Sequence, residues 1–188
     1  MNRKLVLIGS STGGPGQLKE ILCDVVLPAS ASIVVAQHMS VFFMNSFVNQ
    51  FNQDVKADVE LLDKKTILGN KIYICAKNTL ILPNRTLAAM PDESGIPTIF
   101  NPNVNMLFSS ALTACGFTSV LAVLMTGIGD DGAKGLHELY KAGAQCIGEN
   151  ERDCVVYGMP KRAKELNPRL DMGGIKDIKA KIERFINE

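Results

Sequence analysis

The chain has little histidine, no paired cysteines and no long apolar run, and each shortage excludes a class of function. Only two histidines, His38 and His137, occur in 188 residues. Neither belongs to an H-E-x-x-H motif or a cysteine–histidine cluster, and there is no EF-hand pattern, so no metal is expected. Cys23, Cys75, Cys115, Cys146 and Cys154 are widely spaced with no C-x-x-C. They read as reduced core thiols, the usage of a cytoplasmic protein. No run approaches the roughly 18 apolar residues of a membrane span, so no direct membrane insertion is expected. Met1-Asn-Arg-Lys with its short apolar run is no signal peptide, because Gly-rich turn sequence follows at once. A net charge of +1 gives no electrostatic reason to expect nucleic acid as a partner.

What is present is an ordinary globular composition, 46% hydrophobic and 21% charged, at a length that suits one domain with a buried core. Nearly all-apolar runs at 5–9, 31–37, 119–125 and 144–148 read as strands covered on both faces. Helical spacing predicts helices over 15–25, 41–53, 103–115, 131–142, 157–166 and 176–186. In the second of these, Phe42, Phe43, Phe47 and Phe51 fall nearly on one face and read as core packing. From 59 to 99 short apolar stretches (59–62, 71–75, 79–82, 97–100) alternate with turn signals such as Leu68-Gly-Asn, Pro83-Asn-Arg and Ser94-Gly, which reads as hairpins. The order predicts an α/β fold: a doubly wound, mainly parallel sheet flanked by helices, with an antiparallel hairpin edge. Ligands of such folds bind beyond the carboxyl ends of the strands.

Three of those ends carry suggestive chemistry. After the first strand, Gly9-Ser-Ser-Thr-Gly13 matches G-x-S-x-G with Ser11 at the apex. His38 ends the second strand. Thr126-Gly-Ile-Gly-Asp-Asp-Gly132 follows the strand at 119–125. A serine hydroxyl is a weak nucleophile and needs a base, imidazole is available neutral near pH 7, and a carboxylate behind it fixes the tautomer. Amides after Ser11, at a helix start, could stabilise an oxyanion. His137, inside a helix beside Glu138, reads as a solvated surface residue. Asp130 and Asp131 compete for the acid, and spacing alone does not choose between them. Gly127, Gly129 and Gly132 also match G-x-G-x-x-G with Glu149 near the ribose-acid position, a dinucleotide alternative. Two carboxylates where a pyrophosphate would sit oppose it. Gly9 and Gly14 have phosphate-loop spacing, but Pro15 stands where the lysine belongs.

Four segments in order resemble the catalytic domain of CheB-type chemotaxis protein-glutamate methylesterases: Ile8-Gly-Ser-Ser-Thr-Gly-Gly14, Val35-Ala-Gln-His-Met39, Met125-Thr-Gly-Ile-Gly-Asp-Asp-Gly-Ala133 and Asn150-Glu-Arg-Asp-Cys-Val-Val-Tyr-Gly-Met-Pro160. The resemblance implies Ser11 as nucleophile, His38 as base and Asp131 as orienting acid, with an oxyanion or substrate site near Thr12, Gly13 and Ile128. It implies a cofactor-free hydrolase that demethylates glutamate γ-methyl esters on the cytoplasmic helices of methylated chemoreceptors, and glutamine deamidation as a second activity of many members. The chain departs from the family in three ways. Met1 lies a few residues from the first strand, so residues 1–188 are expected to be a single catalytic domain without the family's receiver. Asp130 replaces a common asparagine. Asn101-Pro-Asn-Val-Asn105 and Ala76-Lys-Asn78 differ where they flank the expected substrate cleft. A catalytically decayed receptor-binding domain is the alternative that these departures suggest.

Overall fold

The computed structural model describes residues 3–84 and 86–188. Met1 and Arg85, the last residue of the Pro83-Asn-Arg signal, lie outside them. In chain order the elements are β1 (Lys4–Ser10), α1 (Gly14–Leu22), β2 (Ala31–Gln37), α2 (Val41–Asp54), β3 (Val59–Leu62), β4 (Thr66–Ile67), β5 (Ile72–Cys75), β6 (Thr79–Ile81), β7 (Ala88–Pro91), α3 (Val104–Ser110), β8 (Ser119–Leu124), α4 (Ala133–Lys141), β9 (Gln145–Glu149), α5 (Met159–Leu166), β10 (Asp171–Gly173) and α6 (Ile175–Asn187). A 3-10 helix, Ala111–Gly116, continues α3, so the expected single helix ends in a tightened turn.

Seven strands form one sheet in the order β10-β9-β8-β1-β2-β5-β3, with every pairing parallel. The apolar run of β1 serves two cores because successive side chains point to opposite faces. Val6 and Ile8 pack with α1, α2 and α6. Leu5 and Leu7 pack with α3, α4, α5 and the small sheet formed by β4, β6 and β7. All four β1 side chains are fully buried, and each such aliphatic side chain contributes about 1.5–3 kcal/mol relative to exposure. The helix after β1 lies on one face and the helix after β8 on the other. These neighbouring strands therefore send their chains apart, and a crevice opens between their carboxyl ends.

The hairpin expectation is met only in part. β6 and β4 pair antiparallel with β7 in a separate three-stranded sheet. β5 instead joins β2, and β3 joins β5, both in parallel, while 97–100 forms no strand. A four-residue apolar stretch between turn signals looks the same whether its partner is adjacent in sequence or a helix away. Phe42 and Phe43 also depart from their expected place in the core, being 87% and 66% exposed. The buried stripe of α2 is Met44, Val48 and Phe51, at the i, i+4, i+7 spacing of a helix face. Adjacent residues such as Phe42 and Phe43 lie about 100° apart around the axis and cannot share that stripe. The five cysteines are free thiols, and burial pushes Cys75 and Cys146 up to about 12.

Candidate active site

β1, β2 and β8 are neighbours, and the residues beyond their ends meet. Ser10, the last residue of β1, is fully buried and donates its hydroxyl to Gln37 Oε1 at 2.6 Å. Ser11 is next, half-buried, and its amide donates to Thr126 O at 2.9 Å across the crevice. The two serines thus divide structurally: Ser10 is committed to the frame, and Ser11 Oγ has no hydrogen-bond partner among the described residues. On the other side, His38 N donates to Ser10 O at 2.9 Å. Gln37 Nε2 donates to both Ser11 O and His38 O at 2.9 Å, so one side chain clamps the two strand ends together.

His38 Nε2 lies 2.7 Å from Asp131 Oδ2. An ionised carboxylate only accepts, so Nε2 carries the proton and donates, which leaves Nδ1 with a lone pair. Nδ1 is buried and has no hydrogen-bond partner among the described residues, Ser11 Oγ included. Phe100 stacks on the imidazole, with ring centroids 4.3 Å apart and planes 5° from parallel, which restricts rotation of the ring.

Asp131 is 2% exposed, whereas Asp130 is exposed, so the structure brings Asp131 and not Asp130 to the histidine. Its buried charge is satisfied by two backbone donors, Val104 N at 2.8 Å to Oδ2 and Asn105 N at 2.9 Å to Oδ1. These are amides from the first turn of α3, which have no intrahelical acceptor. Asn103 caps the same turn by accepting from Met106 N at 2.8 Å. Asn78 ties the segment down: its amide donates to Asn101 Oδ1 at 2.7 Å, its Oδ1 accepts from Asn103 N at 2.8 Å, and its Nδ2 donates to Thr98 Oγ1 at 2.8 Å. His137, on α4, is half-buried rather than solvated.

Thr12, Gly13 and Ile128 border the site, and their amides donate to no acceptor among the described residues. Thr12 and Ile128 are exposed. Gly127 is glycine because the loops touch there. A Cβ would meet Met159 Sδ at 2.2 Å and Ser11 Cβ at 2.7 Å. The dinucleotide alternative fails at Glu149, which is fully buried with both oxygens engaged, Oε2 by Thr126 N at 2.7 Å and Oε1 by Gln17 Nε2 at 2.6 Å. No ribose can reach it. Burial raises its carboxyl above the usual range, against the opposing effect of those hydrogen bonds. No group of three or more metal-ligating side chains occurs among the described residues.

Sequence reasoning missed Gln37, Phe100 and Thr126. Gln37 did carry a signal, as the polar last residue of an otherwise apolar strand. Phe100, read as strand, carried none.

This arrangement of a half-exposed serine, a histidine oriented by a buried carboxylate and three unpaired amides suits acyl transfer to and from a serine. Residues 6–182 match the family model described as CheB methylesterase. A "Protein-glutamate methylesterase/protein-glutamine glutaminase" of Bacillus subtilis (strain 168) is 34% identical over 192 residues, covering 99% of this chain and 53% of the relative. A protein of that name, numbered 1, from Burkholderia pseudomallei (strain 1710b) is 34% identical over 180 residues, covering 93% of this chain and 47% of the relative. The chain therefore spans about half the length of the curated relatives it matches. The crystal structure of the Thermotoga maritima CheB methylesterase catalytic domain superposes with a TM-score of 0.86 at 28% identity, covering 98% of this chain and 99% of that one. The strand-end geometry, the family match across nearly the whole chain and this likeness converge: the chain belongs to the CheB methylesterase family.

Proposed function

We propose that the protein is a serine hydrolase that removes the methyl group from glutamate γ-methyl esters on the cytoplasmic helices of chemoreceptors, working as one catalytic domain in the cytoplasm. The observation that carries the reading is the His38–Asp131 pair, which leaves Nδ1 as the free base at the end of the strand paired with the one that leads into Ser11. Ser11 Oγ attacks the ester carbonyl while His38 Nδ1 takes its proton. Asp131 holds the resulting imidazolium through Nε2. The amides of Thr12, Gly13 and Ile128 receive the oxyanion. Collapse expels methanol, which takes the proton from Nδ1, and water then releases the glutamate from Ser11 by the same steps in reverse roles. A glutamine side chain offers the same carbonyl with ammonia as leaving group, so deamidation follows from the same parts. The relatives' double name supports that second activity. The intact hydrogen bonding around His38 and Asp131 argues against a decayed, binding-only domain.

The test is methanol release from a γ-methyl-glutamyl receptor fragment. Ser11→Ala and His38→Gln lose release, and His137→Gln keeps it. Ser10→Ala keeps far more release than Ser11→Ala while losing about 1–3 kcal/mol of stability, because Gln37 Oε1 is left without its donor. Equal release by wild type and Ser11→Ala removes Ser11 as the nucleophile.

A further inference from the structure

The three unpaired amides share a feature that the proposed chemistry does not require. Each follows a carbonyl that is hydrogen-bonded from behind. Ser11 O, which precedes Thr12 N, accepts from Gln37 Nε2 and from Gly14 N, both at 2.9 Å. Thr12 O, which precedes Gly13 N, accepts from Thr126 Oγ1 at 2.9 Å. Gly127 O, which precedes Ile128 N, accepts from Met159 N at 2.9 Å. A trans peptide is planar, and its N–H points opposite to its C=O. A bond that draws the carbonyl toward the protein therefore turns the next N–H away from it.

Two of the locks are side chains, and both are themselves held. Gln37 is 1% exposed, and its Oε1 takes the Ser10 hydroxyl at 2.6 Å. It lies flush against the serine turn, where a Cβ on Gly14 would meet Gln37 Oε1 at 2.2 Å. Thr126 is fully buried, its amide donates to Glu149 Oε2 at 2.7 Å, and its hydroxyl accepts from Val156 N at 2.9 Å. Both side chains are buried, and each ends on a peptide whose N–H has no partner among the described residues.

We infer that Gln37 and Thr126 are positioning residues that fix the Thr12 and Gly13 peptide planes, so that their N–H groups stand aligned for the oxyanion before substrate arrives. The inference rests on the hydrolase reading above. It assigns the two side chains an effect on the transition state rather than on substrate binding, since the oxygen they serve is charged only there.

The experiment compares wild type with Thr126→Val, Thr126→Ser and Gln37→Met. It measures kcat and KM for methanol release from a γ-methyl-glutamyl peptide, the Kd of an aliphatic boronate that forms a tetrahedral adduct with the serine, and the melting temperature. Thr126→Val and Gln37→Met are expected to lose about 10–100-fold in kcat, since a misaligned donor costs less than the ~10²–10³ of a deleted one. KM stays within about twofold, because ground-state binding is untouched. Boronate affinity falls by the same factor as kcat, and Thr126→Ser, which keeps the hydroxyl, recovers most of both. Wild-type kcat in Thr126→Val, equal losses in the Ser and Val variants, or an effect confined to KM overturns the inference. If Thr126→Val does not fold, Gln37→Met carries the same expectation and the same refutation. A wild type no faster than Ser11→Ala overturns the hydrolase reading instead, and this inference with it.

Discussion

Asp131→Asn separates the structural duty of this carboxylate from its chemical one. The side chain accepts three hydrogen bonds, two on Oδ2 (Val104 N, His38 Nε2) and one on Oδ1 (Asn105 N). Asparagine has one oxygen. Placed where Oδ2 was, it keeps Val104 N and His38 but sets its own NH₂ against Asn105 N. Placed where Oδ1 was, it keeps Asn105 N, sets the NH₂ against Val104 N, and donates to His38 Nε2. Either way one buried amide of α3 loses its acceptor, at about 1–3 kcal/mol. For a domain of this size that is a fall of roughly 2–12 °C in melting temperature. In the second placement Nε2 becomes an acceptor and the proton moves to Nδ1, the nitrogen that takes the Ser11 proton in the proposed mechanism. That wrong tautomer, with the lost charge behind the imidazolium, predicts a fall in kcat of up to about 10⁴-fold. Methanol release, thermal melting and the ¹⁵N shifts of His38 read the three effects on one sample. Wild-type melting together with lost activity would show that α3 does not depend on Asp131. Wild-type activity would refute the orienting role outright.

Two further perturbations test other parts of the structure. Glu149 has a carboxyl raised by burial, so the native state holds its proton more tightly than the unfolded chain does. Wild-type stability should fall as pH rises from the ordinary carboxyl value through the raised one. Glu149→Gln should lack that fall, and denaturant titrations giving parallel stability–pH curves for the two proteins would contradict it. Phe42→Ser and Phe43→Ser should each change stability by no more than about 0.5 kcal/mol, against about 3–5 kcal/mol for Phe51→Ala. Urea denaturation decides, and a loss at Phe42 matching that at Phe51 would contradict the exposure seen here.

The central strands were legible because burial on both faces writes an unbroken apolar run, as in Leu5-Val-Leu-Ile and Ile33-Val-Val-Ala. Pairing was not legible where strands are short. Nothing in Val59-Glu-Leu-Leu says that its partner is β5 in parallel rather than the next stretch turned back. The phenylalanines of α2 were grouped by residue type, when the spacing of Met44, Val48 and Phe51 held the buried face. In the site, the strand-end rule found Ser11, His38 and the loop holding Asp131, because each terminates a readable element. It could not say that 101–105 supplies the amides that hold Asp131, since a backbone donor leaves no trace in residue type. Spacing left Asp130 and Asp131 level, and the resemblance favoured Asp131. Burial and the contact with His38 separate them physically.

The loop that borders the histidine is built into the machinery behind it. Asn78 fastens Asn101 and Asn103, Phe100 stacks on His38, and Val104 and Asn105 give their amides to Asp131. Evolution and engineering therefore meet the same constraint. Residues 98–105 and Ala76-Lys-Asn78 form a single exchangeable module, not two independent ones. Swapping either half for a relative's version to redirect substrate choice would slacken the carboxylate that holds His38. Recognition and turnover are expected to drift together, and a graft that keeps its rate will be one that transfers both halves at once.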